Sequence, residues 1–184
     1  MIKTICATLV LLCSPFNYEW DFTYKNKDEF VYGITECTIE FNSKIPPQSR
    51  VIVVVSVAQA ILESNWGLSR FALEGNNFYG MIETDKTKPH IKALNSNVMI
   101  KKYERKCESV ADYITLLNRG TDFKEYRELR NKQTLLQEVN LDELINSLHT
   151  FAIDKNYTKK ISKTVYFLLQ EYPEIFQIES MQDV

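Results

Sequence analysis

One glutamate in the sequence stands where a carboxyl group could act as an acid catalyst. Glu63 lies near the end of the apolar segment VIVVVSVAQAILESNWG, and the aromatic residues Trp66, Phe78 and Tyr79 follow it. Burial raises the pKa of a carboxyl group, and the C-terminal end of a helix dipole acts in the same direction. A general acid needs such a pKa, and flat aromatic rings are surfaces on which sugar rings stack. The alternative is that Glu63 is a solvated last-turn residue and the aromatic side chains are ordinary core.

The segment that carries Glu63 is predicted to be a buried helix rather than a strand. Its β-branched residues favour a strand by propensity, but the run over residues 48–66 is longer than ordinary strands. Gly67 stands where a helix C-cap belongs. In a helix, Ser56, Gln59 and Glu63 fall at positions i, i+3 and i+7 and form one polar stripe on an otherwise apolar cylinder.

Helical spacing of apolar residues predicts helices on both sides of this segment. They are a helix over roughly 28–42, one opened by a capping box of Ser109 with Asp112 and closed by Gly120, a short one around 123–130, one capped by Asn140, and a last one capped by Asp154 that ends before Pro173. Residues 75–103 contain Gly75, Gly80, Pro89 and several asparagines, and are predicted to form a loop with a short hairpin whose best strand is 98–100. The predicted fold class is mainly α, an α+β domain with a small irregular β-lobe.

Composition and charge exclude several classes of protein. The 184 residues are 45% hydrophobic and 25% charged, values typical of one globular domain rather than of a disordered or fibrous chain. With 22 basic and 24 acidic residues the net charge is −2, so a protein that binds nucleic acid through phosphate contacts is not expected. No apolar run reaches the length of about 18 residues that a membrane span needs, so no stable span is predicted.

The N-terminal residues and the cysteines bear on the cellular compartment. One lysine precedes about ten apolar residues, which predicts a signal peptide over 1–14; the alternative is an apolar helix packed on the core. Leu12 precedes Cys13 where a small residue is usual for lipidation, so a lipoprotein is not expected. Cys37 and Cys107 either form one disulfide or remain two buried thiols. No Cys/His cluster with metal-ligand spacing is present, so neither a metal nor a cofactor is predicted.

Residues 58–81, AQAILESNWGLSRFALEGNNFYGM, carry a dense set of motifs. Ala-x-x-Glu-Ser-x-Trp-Gly ends the predicted helix, and Ser-x-x-Ala and Gly-Asn-Asn-aromatic-aromatic-Gly follow it. Two later motifs are Glu-Ser-x-x-Asp-Tyr at 108–113 and FAIDKNYTKKI at 151–161. In these features the chain resembles the glucosaminidase family, glycoside hydrolase family 73, and most closely its bacterial Bax-type branch. The resemblance covers roughly residues 45–170.

The resemblance implies a lysozyme-like helical fold with a small β-lobe across a substrate groove. It also implies hydrolysis of the β-1,4 bond that follows N-acetylglucosamine in peptidoglycan. Matching of residues makes Glu63 the catalytic acid and Tyr157 a tyrosine that lines the site and stabilises the transition state, although Tyr157 would also suit the core. The residues expected to bind substrate are Gln59, Trp66, Asn76, Asn77, Phe78 and Tyr79. For the two asparagines, holding the loop in its turn conformation is the alternative.

The second carboxylate is less well defined than the first. Glycosidases commonly pair the acid with a carboxylate about 5–5.5 Å away when they retain configuration and farther away when they invert it. The family takes this residue from the β-lobe, where the match is weakest. Glu83 and Asp85 are the nearest candidates and Glu104 is a remoter one, and each is otherwise a solvated loop charge. In a single-acid alternative, Tyr157 and the acetamido group of the substrate stabilise the transition state.

Together these observations predict an endo-β-N-acetylglucosaminidase that is secreted or periplasmic and acts as a monomer on peptidoglycan glycan strands. The expected organisation is a signal peptide over 1–14, a lead-in and helix over 15–45, a catalytic domain over 46–172 and a tail over 173–184. Two alternatives remain: cleavage of the lytic transglycosylase type, and a non-catalytic protein that binds peptidoglycan.

Overall fold

The structure is a computed structural model of the chain and describes residues 21–94 and 96–174. The predicted signal peptide and nearly all of the predicted C-terminal tail lie outside these residues. Within the described part of the chain, no helix combines the length and the apolar character needed to cross a membrane.

The fold is built mainly from α-helices that pack around one central helix. In the described residues they are α1 Lys27–Ser43, α2 Val53–Ser64, α3 Arg70–Gly75, α4 Lys106–Arg119, α5 Lys124–Leu136, α6 Leu141–Asn146 and α7 Tyr157–Glu171. Helix α2 packs against both α1 and α7, and α4 packs against α1. Ten of the twelve residues of α2 are buried, which makes it the centre of the core. The predicted mainly-α class is confirmed.

The helix that carries Glu63 begins later than predicted. Instead of one helix over 48–66, a short 3-10 helix at Pro47–Ser49 precedes an extended stretch, and α2 starts at Val53. The Asn42 side chain explains the delay, because its Nδ2 donates to the Val51 carbonyl (2.8 Å) and its Oδ1 accepts the Val51 N–H (3.1 Å). With both backbone groups of Val51 bonded to a side chain of α1, that residue has none left for a helix.

The end of α2 also differs from the prediction that Gly67 is the C-cap. Asn65 is the C-cap, in the left-handed conformation with φ 51°, which asparagine tolerates better than most residues. The Ser64 hydroxyl accepts the Gly67 N–H (2.8 Å) and so fixes the turn that follows. Gly67 is still needed as glycine, because its φ is +75° and an added Cβ would lie 2.6 Å from the Tyr24 hydroxyl oxygen.

Helix α4 begins three residues before the predicted capping box of Ser109 with Asp112. Its N-cap is Arg105, and the Glu108 carboxylate accepts the Arg105 N–H (3.4 Å). Ser109 instead accepts the backbone N–H of Phe78 (3.0 Å), so it ties the preceding loop to the helix. The pattern Ser-x-x-Asp therefore marks tertiary contacts here rather than a helix start.

The remaining helices follow the predicted order with shifted ends. Helix α5 extends to Leu136, beyond the expected 123–130. Asn140 caps α6 as predicted, since its side chain accepts an N–H of the first turn. The N-cap of α7 is Asn156 rather than Asp154. The Asp154 carboxylate instead accepts the N–H of Asn156 (2.9 Å).

The β-lobe is a small antiparallel sheet rather than a single hairpin. Its strands are β1 Ile82–Glu83, β2 His90–Lys92 and β3 Met99–Lys101, in the order β1-β3-β2. Ile100 of the central strand pairs with Ile82 on one side and Ile91 on the other. Asp112 of α4 accepts hydrogen bonds from Lys101 Nζ (2.6 Å) and the Tyr103 hydroxyl (2.5 Å) and thereby anchors the lobe to the helices.

The two cysteines left open by the sequence form a disulfide. Cys37 of α1 and Cys107 of α4 are joined, with their Cα atoms 5.3 Å apart. The bond links the N-terminal helix to the helix that follows the β-lobe, 70 residues further along the chain. Helix α1 therefore belongs to the same core as the predicted catalytic domain.

Candidate active site

Glu63 lies in the last turn of α2 with its carboxyl group partly covered by the protein. Burial raises its pKa above the ordinary value, and a hydrogen bond from the Tyr157 side chain opposes this effect to a smaller extent. Gly80 closes one side: its φ is +66°, and a Cβ built there would lie 3.8 Å from Glu63 Oε2. The alternative of a fully solvated Glu63 therefore does not hold, and the carboxyl group has the environment of a proton donor.

A directed chain of hydrogen bonds leads to Glu63 from inside the core. Tyr113 of α4 donates to Gln59 Oε1 (2.5 Å), and Gln59 Nε2 donates to the Tyr157 oxygen (3.0 Å). Because an amide nitrogen can only donate, the Tyr157 oxygen is the acceptor and its own proton remains available for Glu63. Burial and the neighbouring Glu63 charge both raise the pKa of Tyr157, so it stays a protonated donor.

Aromatic stacking holds Tyr113 and Tyr157, the two tyrosines of this hydrogen-bond chain, in place. Tyr113 stacks on Tyr79 with ring centres 4.0 Å apart and planes 9° apart. Phe151 lies parallel to Tyr157 at 5.7 Å, from the loop before α7. Ser56, the first residue of the polar stripe predicted on α2, is buried and hydrogen-bonds to the Tyr79 hydroxyl (2.9 Å). The whole assembly is preorganised by packing rather than by solvent-exposed contacts.

Three residues predicted to bind substrate are core residues in the structure. Gln59 is fully buried, and both ends of its amide are used by Tyr113 and Tyr157. Phe78 is also fully buried and packs against other aromatic rings, among them Phe30 at 5.4 Å. Tyr79 is 2% exposed. The prediction of direct sugar contact is therefore corrected for these three: Gln59 positions Tyr157, and the two rings fill the interior beneath the site.

Asn76 and Asn77 hold the loop between α3 and β1. Asn76 adopts the left-handed conformation with φ 51°, and its amide donates to the Tyr103 carbonyl (3.1 Å). Asn77 is 1% exposed, and its amide donates to the carbonyls of Met81 (3.0 Å) and Lys101 (2.9 Å). The structural alternative accounts for both side chains, which attach the motif to the β-lobe instead of presenting amides to a sugar.

Trp66 is partly exposed, and its ring contacts residues of α1 and α7. It adopts a left-handed conformation with φ 60°, directly after the C-cap of α2. The ring meets Phe167 of α7 edge-on at 6.2 Å, and Lys27 Nζ of α1 lies 4.6 Å from its centre. These contacts pack Trp66 against α1 and α7, and a sugar contact by Trp66 stays a prediction.

The lobe carboxylates are held in a way that favours the ionised form. Glu83 Oε1 accepts the N–H groups of the next two residues, both at 2.9 Å, and these bonds lower its pKa together with nearby Lys88 and Lys101. Exposed Asp85 accepts the hydroxyl (2.7 Å) and the N–H (2.9 Å) of Thr87, which lower its pKa likewise. Glu104 stands farther along, in the connection to α4.

Sequence reasoning missed the part played by Tyr113 and Phe151. The sequence pointed to Tyr113 only as the tyrosine of the motif at 108–113. A signal was present, because a tyrosine on a buried helical face needs a partner for its hydroxyl, and Gln59 is the buried residue that supplies one. In the described residues, no group of three or more His, Cys, Asp or Glu side chains is placed to hold a metal ion.

Comparison with known proteins agrees with this architecture. The catalytic domain of the autolysin Auto from Listeria monocytogenes has a TM-score of 0.62 at 21% identity, covering 86% of this chain and 90% of that one. The glycoside hydrolase domain of Salmonella typhimurium FlgJ has a TM-score of 0.61 at 19% identity, covering 86% and 98%. At these identities the two structures establish a shared lysozyme-like fold.

Sequence comparison reaches further than the fold. The exo-glucosaminidase LytG of Bacillus subtilis (strain 168) is 32% identical in an alignment over 138 residues that covers 68% of this chain and 47% of LytG, so the chain spans about half the length of that relative. The family model of the glucosaminidases, described as mannosyl-glycoprotein endo-beta-N-acetylglucosaminidase, matches residues 43–168. This match covers more than half of the chain and includes α2, the β-lobe and most of α7, and the chain therefore belongs to the glucosaminidase family.

Proposed function

We propose that this protein is an endo-β-N-acetylglucosaminidase that hydrolyses β-1,4 bonds of peptidoglycan, with Glu63 as the general acid. The observation that carries the proposal is the partly buried carboxyl group of Glu63 with its raised pKa and its hydrogen bond to Tyr157. Such a group holds its proton closer to neutral pH than an exposed glutamate does. Family membership supports the reaction class, and the shared fold supports a groove between the helices and the β-lobe.

In the proposed step, Glu63 donates its proton to the glycosidic oxygen as the bond to the anomeric carbon breaks. The carboxylate that remains accepts the hydrogen bond from Tyr157, and this bond favours the ionised form of Glu63. It therefore strengthens as the proton leaves, which is what lowers a barrier rather than merely binding substrate. Gln59 and Tyr113 keep the Tyr157 proton pointed in this direction.

For the second carboxylate we propose Glu83 rather than Asp85. Glu83 lies on β1, a strand paired with β3, whereas Asp85 lies in the exposed turn after it and is bound to Thr87. The pKa of Glu83 is lowered while that of Glu63 is raised. Two carboxyl groups whose pKa values differ in this way suit the base and acid roles of a glycosidase. Ionised Glu83 would activate water or stabilise positive charge at the anomeric carbon.

We propose that the protein works outside the cytoplasm. The Cys37–Cys107 disulfide supports this location, because such bonds persist in oxidising compartments. The apolar N-terminal segment predicted as a signal peptide points the same way. The near-neutral charge of the chain suits an uncharged glycan backbone, which is bound by hydrogen bonds and stacking rather than by electrostatic steering.

Product analysis on purified peptidoglycan tests the proposal. We expect new reducing N-acetylglucosamine ends, each carrying the elements of one water, from the wild-type protein and from Glu74→Gln, an exposed control in α3. Glu63→Gln should release these ends about 10³-fold more slowly. Anhydro-muramyl ends would indicate lytic cleavage instead, and release of single N-acetylglucosamine residues would indicate the exo activity in the name of LytG. Binding without any product would contradict the proposal and favour a non-catalytic protein.

A further inference from the structure

A cleft apart from the surroundings of Glu63 lies where the end of α1 meets α4 and α5. It has a volume of about 390 Å³ and shares no lining residue with the candidate active site. Arg119, Arg127 and Arg130 line it together with Asn118, and Phe41 and Ile45 form an apolar wall. None of the residues that line it is acidic. Its chemistry therefore differs from that of the glycan site.

Arg130 is a buried cation whose partners are all neutral. Its side chain is 5% exposed and donates to the Ser49 carbonyl (3.3 Å) and to Asn118 Oδ1 (2.8 Å). The guanidinium also lies 5.3 Å from the Tyr126 ring centre, and its buried Nε has no hydrogen-bond partner among the described residues. A buried charge is normally paired with an opposite one, so this arrangement leaves positive charge uncompensated.

Two further arginines add to this charge. Arg127 uses its Nη1 on the carbonyls of Leu117 (3.1 Å) and Gly120 (2.6 Å), and exposed Arg119 stands in the last turn of α4. Burial lowers the pKa of Arg130 and the nearby Arg127 charge acts in the same direction, while the Tyr126 hydroxyl opposes them. Across residues 21–94 and 96–174, none of the three arginines that line the cleft forms an ion pair with a carboxylate.

We propose that this cleft binds an oxyanion, a carboxylate or phosphate group carried by a small ligand. Guanidinium groups present paired N–H donors that match two oxygens of either anion. Arg119 and Arg127 are accessible enough to contact it, and Arg130 beneath them supplies a fixed positive field. The apolar wall of Phe41 and Ile45 accommodates the uncharged part of the ligand. This site is independent of the proposed hydrolysis at Glu63.

Amide chemical shifts of the full chain, titrated with inorganic phosphate and separately with acetate at constant ionic strength, test the proposal. We expect saturable shifts confined to residues around 45–49 and 115–131. A response to phosphate alone assigns a phosphate ligand, a response to acetate alone assigns a carboxylate, and a response to both supports a general oxyanion site. No saturable shift with either anion, or shifts located elsewhere, would overturn it.

Arg119→Gln provides the matched variant, because this side chain is exposed and its loss leaves the core intact. Anion affinity should fall about tenfold, the size expected for one charge-assisted contact. Arg70→Gln, which removes the same charge from α3, should bind like the wild type. Cleavage of soluble glycan oligomers should not change in Arg119→Gln, which separates this site from the catalytic one. Equal anion affinity of Arg119→Gln and the wild type would contradict the assignment.

Discussion

The helical part of the molecule and its β-lobe shift the pKa values of carboxyl groups in opposite directions. At the end of α2, partial burial of Glu63 raises its pKa, and a hydrogen bond from the neutral phenol of Tyr157 opposes this effect to a smaller extent. In the lobe, Glu83 accepts two backbone N–H groups, and Asp85 accepts the hydroxyl and the N–H of Thr87, so the pKa values of both carboxyl groups are lowered. One fold thereby raises the pKa of one carboxyl group and lowers the pKa values of two others.

The difference lies in the range of the interactions involved. The environment of Glu63 depends on α2, α4 and α7 packing together, because Gln59, Tyr113 and Tyr157 come from three helices. The environment of Glu83 depends on the two residues that follow it. The raised pKa of Glu63 therefore depends on the assembled core, whereas the lowered pKa of Glu83 depends mainly on a local turn.

The largest effect is expected at Glu63. Glu63→Gln keeps the size and polarity of the side chain but removes the proton, so kcat on peptidoglycan should fall by about 10³-fold, within the usual range for a general acid. Glu74→Gln, an exposed change in α3, should stay within about twofold of wild type. Initial rates of reducing-end release measure both. If the two variants lose activity equally, Glu63 is not the general acid.

The disulfide should matter next, and through stability. Replacing Cys37 and Cys107 with alanine removes a link that closes 70 residues, and the free energy of unfolding should fall by about 3 kcal/mol. Urea unfolding followed by circular dichroism measures the change. A reducing agent should destabilise the wild type by a similar amount and leave the double variant unaffected. Equal stability of the variant and the oxidised wild type would argue against the disulfide link between α1 and α4.

Substitutions of the two lobe carboxylates should lower activity to different extents. Glu83→Gln should lower kcat/KM by about 30-fold if it serves as the second carboxylate, a loss within the range of acid–base and charge-stabilising roles. Asp85→Asn retains much of the turn and should cost less than about threefold. Kinetics on soluble glycan oligomers compare them. Full activity of Glu83→Gln would leave the single-acid mechanism with the acetamido group as the better account.

A smaller effect with a defined pH signature is expected at Tyr157. Its hydrogen bond stabilises ionised Glu63, so Tyr157→Phe should raise the pKa of Glu63 further. Glu63 must be protonated to act, so the basic limb of the kcat/KM profile should move to higher pH while the maximum falls about tenfold. Tyr166→Phe removes an exposed hydroxyl from the same helix and is the control. A limb that moves to lower pH would contradict the assigned hydrogen bond.

The sequence predicted the helical part of the site well and its surroundings less well, for physical reasons. The spacing of Ser56, Gln59 and Glu63 reports one helical face, which is a local property. The start of α2 depends on Asn42 bonding to Val51, a contact between separate elements that no pattern shows. Phe78 and Tyr79 follow Glu63 in sequence, yet only tertiary packing decides which side of the loop faces the core.

The β-lobe was the least predictable region because its strands are too short to display a pattern. A strand of two or three residues, such as β1 or β3, has no measurable alternation, so only the turn residues of 75–103 were visible. Asn77 illustrates the same limit: its motif position was clear, but its bonds to the carbonyls of Met81 and Lys101 require the folded lobe.

The most direct test of the central claim varies the leaving group in Glu63→Gln. A glycan oligomer requires protonation of its leaving oxygen, whereas a 4-nitrophenyl glycoside of the same oligomer leaves without a proton. If Glu63 is the general acid, the variant should lose about 10³-fold on the oligomer but less than about tenfold on the aryl glycoside. An equal loss on both substrates would show that Glu63 serves the fold or the binding of glycan and does not donate the proton.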